Sequence, residues 1–439
     1  MIERLFQLDA ARTTVRREAM AGLTTFLAMA YIIFVQPAVL GAAGMDFGAV
    51  MVATCIASAV ATLLMGLLAN YPIAVAPAMG HNFFFAFTVC VAMKVPWRIA
   101  LGAVAFAGLL FILTATVGLR ERLIVAIPAS LKHAMAVGIG LLVALIGLQW
   151  GGLIVDSPGT LVTLGRLSAP PALLTLFGLV VVGILLARGV PGALLIGMCL
   201  STIAGLAFGL VKYQGLVSAP PSIAPTLLQL DLAGALSAPM LPVILIFFFL
   251  ALFDSVGTLI GVASQAGLLR DGMLPRAGRA LLADAVGTVA GAALGTSTVT
   301  AYIESSTGVA AGGRTGLANV VTAALFLLSL FFHPLVRMIG GGYPAGGNLV
   351  LYPVVAPALV LVGTLMIGSV RAIAWDDLTE AIPAFLTLIL MPLTVSITEG
   401  IAFGFIAYAV LKLATGRARE VHPLVYLCAG LFVARYVWL

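Results

Sequence analysis

Apolar segments of membrane-crossing length follow one another along almost the whole chain, and no other feature limits its fold as severely. A helix needs about 20 residues to cross a hydrocarbon core. Segments of that kind stand at 21–41, 49–69, 99–118, 171–187, 190–210, 241–265, 315–334 and 350–369. Shorter, weaker or Gly/Pro-interrupted ones stand at 73–93, 128–148, 280–295, 297–312, 378–394 and 399–415. Together they predict an all-α polytopic membrane protein with 14 transmembrane segments. Only 9% of the 439 residues are charged and 62% are hydrophobic, whereas a soluble domain carries about 25% charged residues. The longest weakly apolar stretches, 150–170 and 212–238, are loop-sized, so the whole chain reads as membrane domain.

Orientation follows from the distribution of Lys and Arg, which cluster on the cytoplasmic side of membrane proteins. With the N-terminus inside, 16 fall on the inner face, among them Arg12, Arg17, Arg120, Arg122, Arg270 and Arg314, and 5 fall outside. The net charge of +6 therefore reflects topology, and nucleic acid is not expected as a partner. The charged segment 1–20 reads as an amphipathic lead-in to the first span, without the pattern of a signal peptide. The stretch 422–438 reads as lying along the interface. Cys55, Cys90, Cys199 and Cys428 lack C-x-x-C spacing, so neither a disulfide framework nor a metal site is expected.

Prolines 220, 221 and 225 mark a break between two halves, 1–215 and 216–439, each with seven spans. An odd number per half makes the second repeat inverted, and transporters built this way bind substrate near the midplane between broken helices. The third span of each half carries such a break. In 70–89, Pro72, Pro77 and Gly80 precede a helix start at His81 or Asn82; in 295–309, a Ser/Thr/Val run gives way to polar residues. Each is expected to form a short strand followed by a half-helix.

Two acids lie deep in these apolar stretches: Asp254 in FFFLALFDSVGTLIG and Glu304 in GTSTVTAYIESSTG. A carboxylate in hydrocarbon costs about 3 kcal/mol on insertion scales, so it faces a cavity, a partner or a transported solute. A structural pair is the plainer alternative. Thr258 lies one turn beyond Asp254 and is expected to bond a ligand or its own helix. Tyr302 and Phe83 are either core aromatics or flat surfaces for a planar ligand. Asp284 is expected to pair with Arg279, Arg314 to act as a cytoplasmic anchor rather than an anion ligand, and Glu380 and Glu399 to be interfacial or helix-start acids.

The segments AMAYIIFVQP (28–37), APAMGHNFF (76–84), IPASLKHAMAVGIGLLVALIGLQ (127–149), LFDSVGTLIGVA (252–263), the block 281–316 and the block 375–404 resemble the nucleobase:cation symporter-2 superfamily, in particular its hypoxanthine/guanine/adenine permease branch. The resemblance runs in order from about residue 18 to residue 416. It implies a seven-plus-seven inverted repeat with core and gate domains, and proton-coupled purine uptake across a bacterial cytoplasmic membrane. It also implies that Asp254 and Glu304 hold the base and that Asn82 and Phe83 contribute contacts. His81 and Gln36 stand where the branch usually has Leu and Asn, and Glu399-Gly400 where it usually has Asp-Gly. His81 could therefore touch the ligand or could be a packed or capping residue.

The chemistry suits a purine, whose edge carries N–H donors and acceptors and whose faces are apolar. The function expected is secondary active import of purine nucleobases by proton symport, with alternating access, Asp254 and Glu304 serving both substrate and proton. No cofactor is expected, sodium is a less favoured coupling ion, and a homodimer is an open possibility for the assembly. An anion or other small-solute transporter of the same architecture is the alternative, although two acids oppose an anion. An intramembrane aspartyl protease using Asp254 and Asp284 lacks its Gly-x-Gly-Asp motif, and a phosphate-binding G-x-x-x-x-G-K-[ST] loop is absent.

Overall fold

A computed structural model of the chain describes residues 2–117, 128–269, 274–346 and 349–438. Arg120, Arg122 and Arg270, part of the charge bias, lie outside the described residues. Among the described residues, 9 helices of 18 or more residues are apolar enough to cross a membrane. Shorter apolar helices lie at Met79–Ala92, Ala193–Ala207, Ala356–Ala372, Leu378–Thr394 and Pro423–Ala434. The chain is thus a helical, polytopic membrane protein, and its described sheets are all two-stranded ribbons.

Two compact units form, each from separate stretches of chain: Met1–Thr116 with Gln149–Ala358, and Val117–Leu148 with Leu359–Leu439. In the first unit the elements used below are, in chain order, α1 (Val15–Met29), α2 (Ile32–Gly41), α3 (Phe47–Leu64), β1 (Val75–Pro77), α4 (Met79–Phe83), α5 (Leu241–Gln265), α6 (Ala277–Leu294), β2 (Val299–Ala301), α7 (Ser305–Ala310) and α8 (Leu317–Leu328).

The two interrupted spans form a strand plus a short helix, as the sequence predicts, and each break satisfies the other. Inside a membrane a backbone N–H or C=O has no water to turn to. β1 and β2 therefore pair antiparallel, Val75 opposite Ala301, Ala76 opposite Thr300 and Pro77 opposite Val299. The ladder extends through Tyr302 N–H to Ala74 C=O at 2.9 Å and Ala78 N–H to Thr298 C=O at 3.0 Å. Side chains take up groups that the ladder leaves over. The Thr62 hydroxyl accepts from Val75 N–H and donates to its C=O, at 3.0 and 2.9 Å. The Thr288 hydroxyl donates to Val299 C=O at 2.7 Å, and the Asn319 amide donates to Ile73 C=O at 2.8 Å.

Close packing around this ribbon depends on small residues. A Cβ at Gly287 would meet Ala61, and one at Gly291 would meet Val299, so α6 lies directly against α3 and β2. Where α3 ends, a wider turn over Met65–Ala69 carries the chain to Asn70, left-handed at φ 53°. Its side-chain oxygen accepts Gly316 N–H at 2.7 Å, and its amide donates to Phe6 C=O at 3.0 Å.

The N-terminal lead-in is more deeply tied in than its charge suggested. Phe6 and Leu8 are buried against Leu317 and Val320. Glu18 is wholly buried, and its carboxylate accepts Arg314 N–H at 2.9 Å and Thr315 N–H at 3.2 Å. The loop 150–170 contains a hairpin, Ile154–Ser157 paired with Leu161–Leu164. The span expected from 350 has its helix only from Ala356, because Val350–Leu351 pairs with Tyr343–Pro344.

In the second unit, α9 (Leu378–Thr394) and α10 (Ile397–Ala414) pack closely because Gly400 and Gly404 meet Met391 and Thr387. Glu380 and Glu399 lie in the first turns of these helices, and Ser396 caps Glu399 N–H at 3.3 Å. Lys412 is only 1% exposed and meets Glu380 at 2.9 Å and Glu420 at 3.1 Å. Arg417 reaches Asp377 at 2.7 Å and Glu420 at 2.8 Å.

This network has a pH signature. Hydrogen bonds from Thr379 and then Arg417 hold the Asp377 carboxyl well below the usual carboxylate range, and Arg417 and Lys412 lower that of Glu420. Carboxyls depressed in the fold contribute stability above their unfolded value, near pH 4, and lose it as pH falls through the folded one. Arg417→Gln should therefore lower the melting temperature near neutral pH, and the gap from wild type should narrow below about pH 4. A scan of the two proteins across that range checks this.

Candidate functional site

The two acids singled out from sequence come to the broken region of the first unit on different elements. Asp254 sits midway along the 25-residue α5, and yet its side chain is exposed. A carboxylate there would be costly against lipid, so this exposed position is where a solute or another polar group is expected to face it. The Thr300 hydroxyl, on β2, donates to Asp254 Oδ2 at 2.8 Å. Glu304 is half-buried at the N-cap of α7, and the Tyr31 hydroxyl, from the start of α2, donates to its Oε1 at 2.7 Å. Each carboxylate is thus held at one oxygen by one hydroxyl. A carboxylate offers about four lone-pair directions, so both retain accepting capacity.

The surface beside Asp254 is bare. Gly257 is exposed with no heavy atom within 4 Å of where its Cβ would stand, and Ile303 is 54% exposed. A flat apolar face has room to lie there. Thr258, one turn beyond Asp254, is buried.

The other expected site residues frame the breaks. Tyr302 is buried, and its hydroxyl donates to Pro77 C=O at 2.5 Å, fastening the end of β1 to the turn after β2. Phe83 is fully buried and stacks on Phe87, centroids 5.6 Å apart and planes at 15°. The Asn82 amide donates to Gln36 Oε1 at 2.5 Å, while Gln36 Nε2 donates to Thr296 and Ser297, both at 2.9 Å. This buried chain links α2, α4 and the segment leading into β2. His81 is buried beside the backbone of Leu250, which lies one turn before Asp254, and its Nε2 has no partner among the described residues.

One expectation is overturned. Asp284 forms no ion pair with Arg279: it is wholly buried, and among the described residues neither carboxylate oxygen meets a hydrogen-bond partner of good geometry. Its neighbours are Ser255 and the backbone of Ala301, with the Asp254 charge also within range. Arg279 lies only two residues into α6 and is exposed, so the two face different surroundings. Arg314 Nη1 donates to Val309 C=O at 2.8 Å and to Gly313 C=O at 2.6 Å. Tyr31, Gln36 and Thr300 were missed as functional neighbours. A tyrosine or glutamine inside an apolar span was the available signal, but its partner lies elsewhere in the sequence.

Residues 16–403 match the Permease family. The adenine permease AdeP of Escherichia coli K12 is 46% identical over 440 residues, covering 100% of this chain and 96% of AdeP. The guanine/hypoxanthine permease PbuG of Bacillus subtilis 168 is 48% identical, covering 98% and 97%. Among solved structures, the transmembrane domain of the cyanobacterium bicarbonate transporter BicA superposes with a TM-score of 0.62 at 17% identity, over 88% of this chain and 97% of that one. The murine Slc26a9 anion transporter superposes with a TM-score of 0.60 at 12% identity, over 91% and 68%. Identities this low make the likeness one of fold alone, whereas the sequence match to the permeases extends over the full length of the chain. Span pattern, paired breaks and that match together place the chain in the nucleobase:cation symporter-2 family.

Proposed function

We propose that the protein imports purine nucleobases of the hypoxanthine, guanine and adenine class across a bacterial cytoplasmic membrane, its N-terminus inside, together with a proton. The observation that carries this reading is the pair of carboxylates, Asp254 on the continuous α5 and Glu304 at the break before α7, each held at one oxygen by a hydroxyl and each with lone pairs to spare. A purine edge presents N–H donors that such oxygens accept, and the bare glycine surface beside Asp254 suits its face. Relatives that bear the names of adenine and guanine/hypoxanthine permeases support the same substrate class.

Asp254 and Glu304 bind the base in this reading, and Thr300 and Tyr31 position them. Thr258, His81, Asn82, Phe83 and Tyr302 shape the pocket and hold the half-helices. The antiparallel pairing of β1 with β2 is what an inverted repeat of 1–215 and 216–439 would produce, and alternating access would follow from movement of core against gate. An anion is disfavoured, since two acids lie at the site.

A proton gradient acts only through a group that changes charge, and the two carboxylates of the site are the groups placed to do so. In cells lacking their own purine permeases, expression of this chain should confer uptake of labelled purine bases that collapses with a protonophore. Uptake that needs sodium and ignores pH would overturn the coupling, and absence of purine uptake would overturn the substrate.

A further inference from the structure

The N-terminal segment and the loop after α7 form an open pocket of about 390 Å³, lined by Ala11, Arg12, Arg17, Gly312 and Arg314 together with two alanines. Its size falls within the roughly 300–1,000 Å³ of small-molecule sites. Its charge is entirely of one sign: three guanidinium groups line it and no carboxylate does. The nearest acid along the chain, Glu18, is buried and already committed to the N–H groups of Arg314 and Thr315. None of the three arginines appears in an ion pair among the described residues.

The arginines are also arranged rather than merely present. Arg314 is fixed by the carbonyls of Val309 and Gly313 through one nitrogen, which leaves its other N–H groups, of the five that a guanidinium carries, for a ligand. Arg12 holds a left-handed backbone at φ 51°. Arg17 lies in the first turn of α1, its N–H accepted by Thr14 at 3.3 Å. Arginine forks match the oxygens of phosphate in a bidentate way. Three guanidinium groups around one pocket, none of them in an ion pair among the described residues, call for a ligand with two negative charges or more.

We propose that this pocket is an anion site for a phosphate group, separate from the purine site, and that its ligand clamps the N-terminal segment to the loop that follows the Glu304 half-helix. The phosphate could be soluble or could belong to an acidic lipid headgroup, and the recognising chemistry is shared.

The test uses the purified full-length chain at constant ionic strength. Melting temperature is followed with inorganic phosphate, with short-chain phosphatidic acid and with chloride as control, for wild type and for Arg12→Asn/Arg17→Gln. Asparagine tolerates the left-handed backbone at residue 12, and Arg314 is left intact because it also ties carbonyls. Stabilisation of wild type by phosphate, at least tenfold weaker in the double variant, supports a soluble ligand. Stabilisation by phosphatidic acid alone, lost in the same variant, supports a lipid headgroup. No stabilisation of wild type, an equal response to chloride, or an undiminished response in the variant would overturn the site. A cooperative melting transition of the unliganded variant at the wild-type temperature shows that it has folded and keeps this result independent of the transport reading.

Discussion

Glu304→Gln is expected to weaken purine binding by about ten- to a hundredfold while leaving the protein folded, because a hydrogen bond to a charged group contributes about 1.5–3 kcal/mol. The substitution keeps the shape of the side chain and one carbonyl oxygen. That oxygen can still accept from Tyr31, whose hydroxyl lies 2.7 Å from Glu304 Oε1. What is lost is the negative charge and the second accepting oxygen, and the amide puts a donor where the base presents its own. Asp254→Asn should damage transport at least as much, since the Thr300 hydroxyl fixes one oxygen in the same manner. Calorimetry on the purified variants gives the affinities, and their melting temperatures separate lost binding from lost folding. Wild-type affinity in both would make the acids structural.

The largest effect on stability is expected at Gly316. Its φ of −65° is one that any residue adopts, so backbone strain plays no part. Space decides. A Cβ there would run into the backbone of Gly66, and a Cβ on Gly66 would meet the Gly316 carbonyl and Asn319. Neither neighbour is the end of a flexible side chain that could swing aside. This contact closes the end of the second span onto the start of α8, where Asn70 accepts Gly316 N–H at 2.7 Å. Inserting atoms into a packed core costs about 1–3 kcal/mol even where side chains yield. Gly316→Val should therefore cost more than that and sharply reduce the yield of folded protein, whereas Gly183→Ala, with no atom near its Cβ position, should behave as wild type. Size-exclusion profiles of detergent extracts compare them directly.

Much of the architecture was legible because the bilayer imposes a length on each apolar segment and forbids unsatisfied backbone. The same constraint made the two breaks visible: Pro72 and Pro77 in one span and the Ser/Thr/Val run in the other disfavour continuous helix, although the half-helix starts at Met79, before Gly80, rather than at His81 or Asn82. Asp254 and Glu304 stood out because an acid in such surroundings is expensive. Their partners did not, since Tyr31 is 273 positions from Glu304 and Gln36 is 260 from Thr296, and one sequence carries no sign of such pairings. The burial of Glu18 within the charged lead-in was not legible for a related reason: its two N–H partners belong to a loop that only the folded chain brings near. The Asp284–Arg279 pair failed because spacing along a helix was taken for proximity, although α6 turns Asp284 inward against α5 while Arg279 stays exposed near its start. Strand pairing in the loops at 154–164 and 343–351 went unseen because short ribbons of this kind leave little pattern in a chain so uniformly apolar.

The central claim is that the region of the two carboxylates takes a neutral purine, although the fold is shared with proteins named as bicarbonate and anion transporters. Purified protein in proteoliposomes, offered labelled hypoxanthine, guanine, adenine, bicarbonate and sulfate under an inward proton gradient, tests it most directly. The account predicts saturable accumulation of at least one purine, lost in Glu304→Gln, and no accumulation of either anion. Accumulation of bicarbonate or sulfate without any purine, unchanged by that substitution, would contradict it.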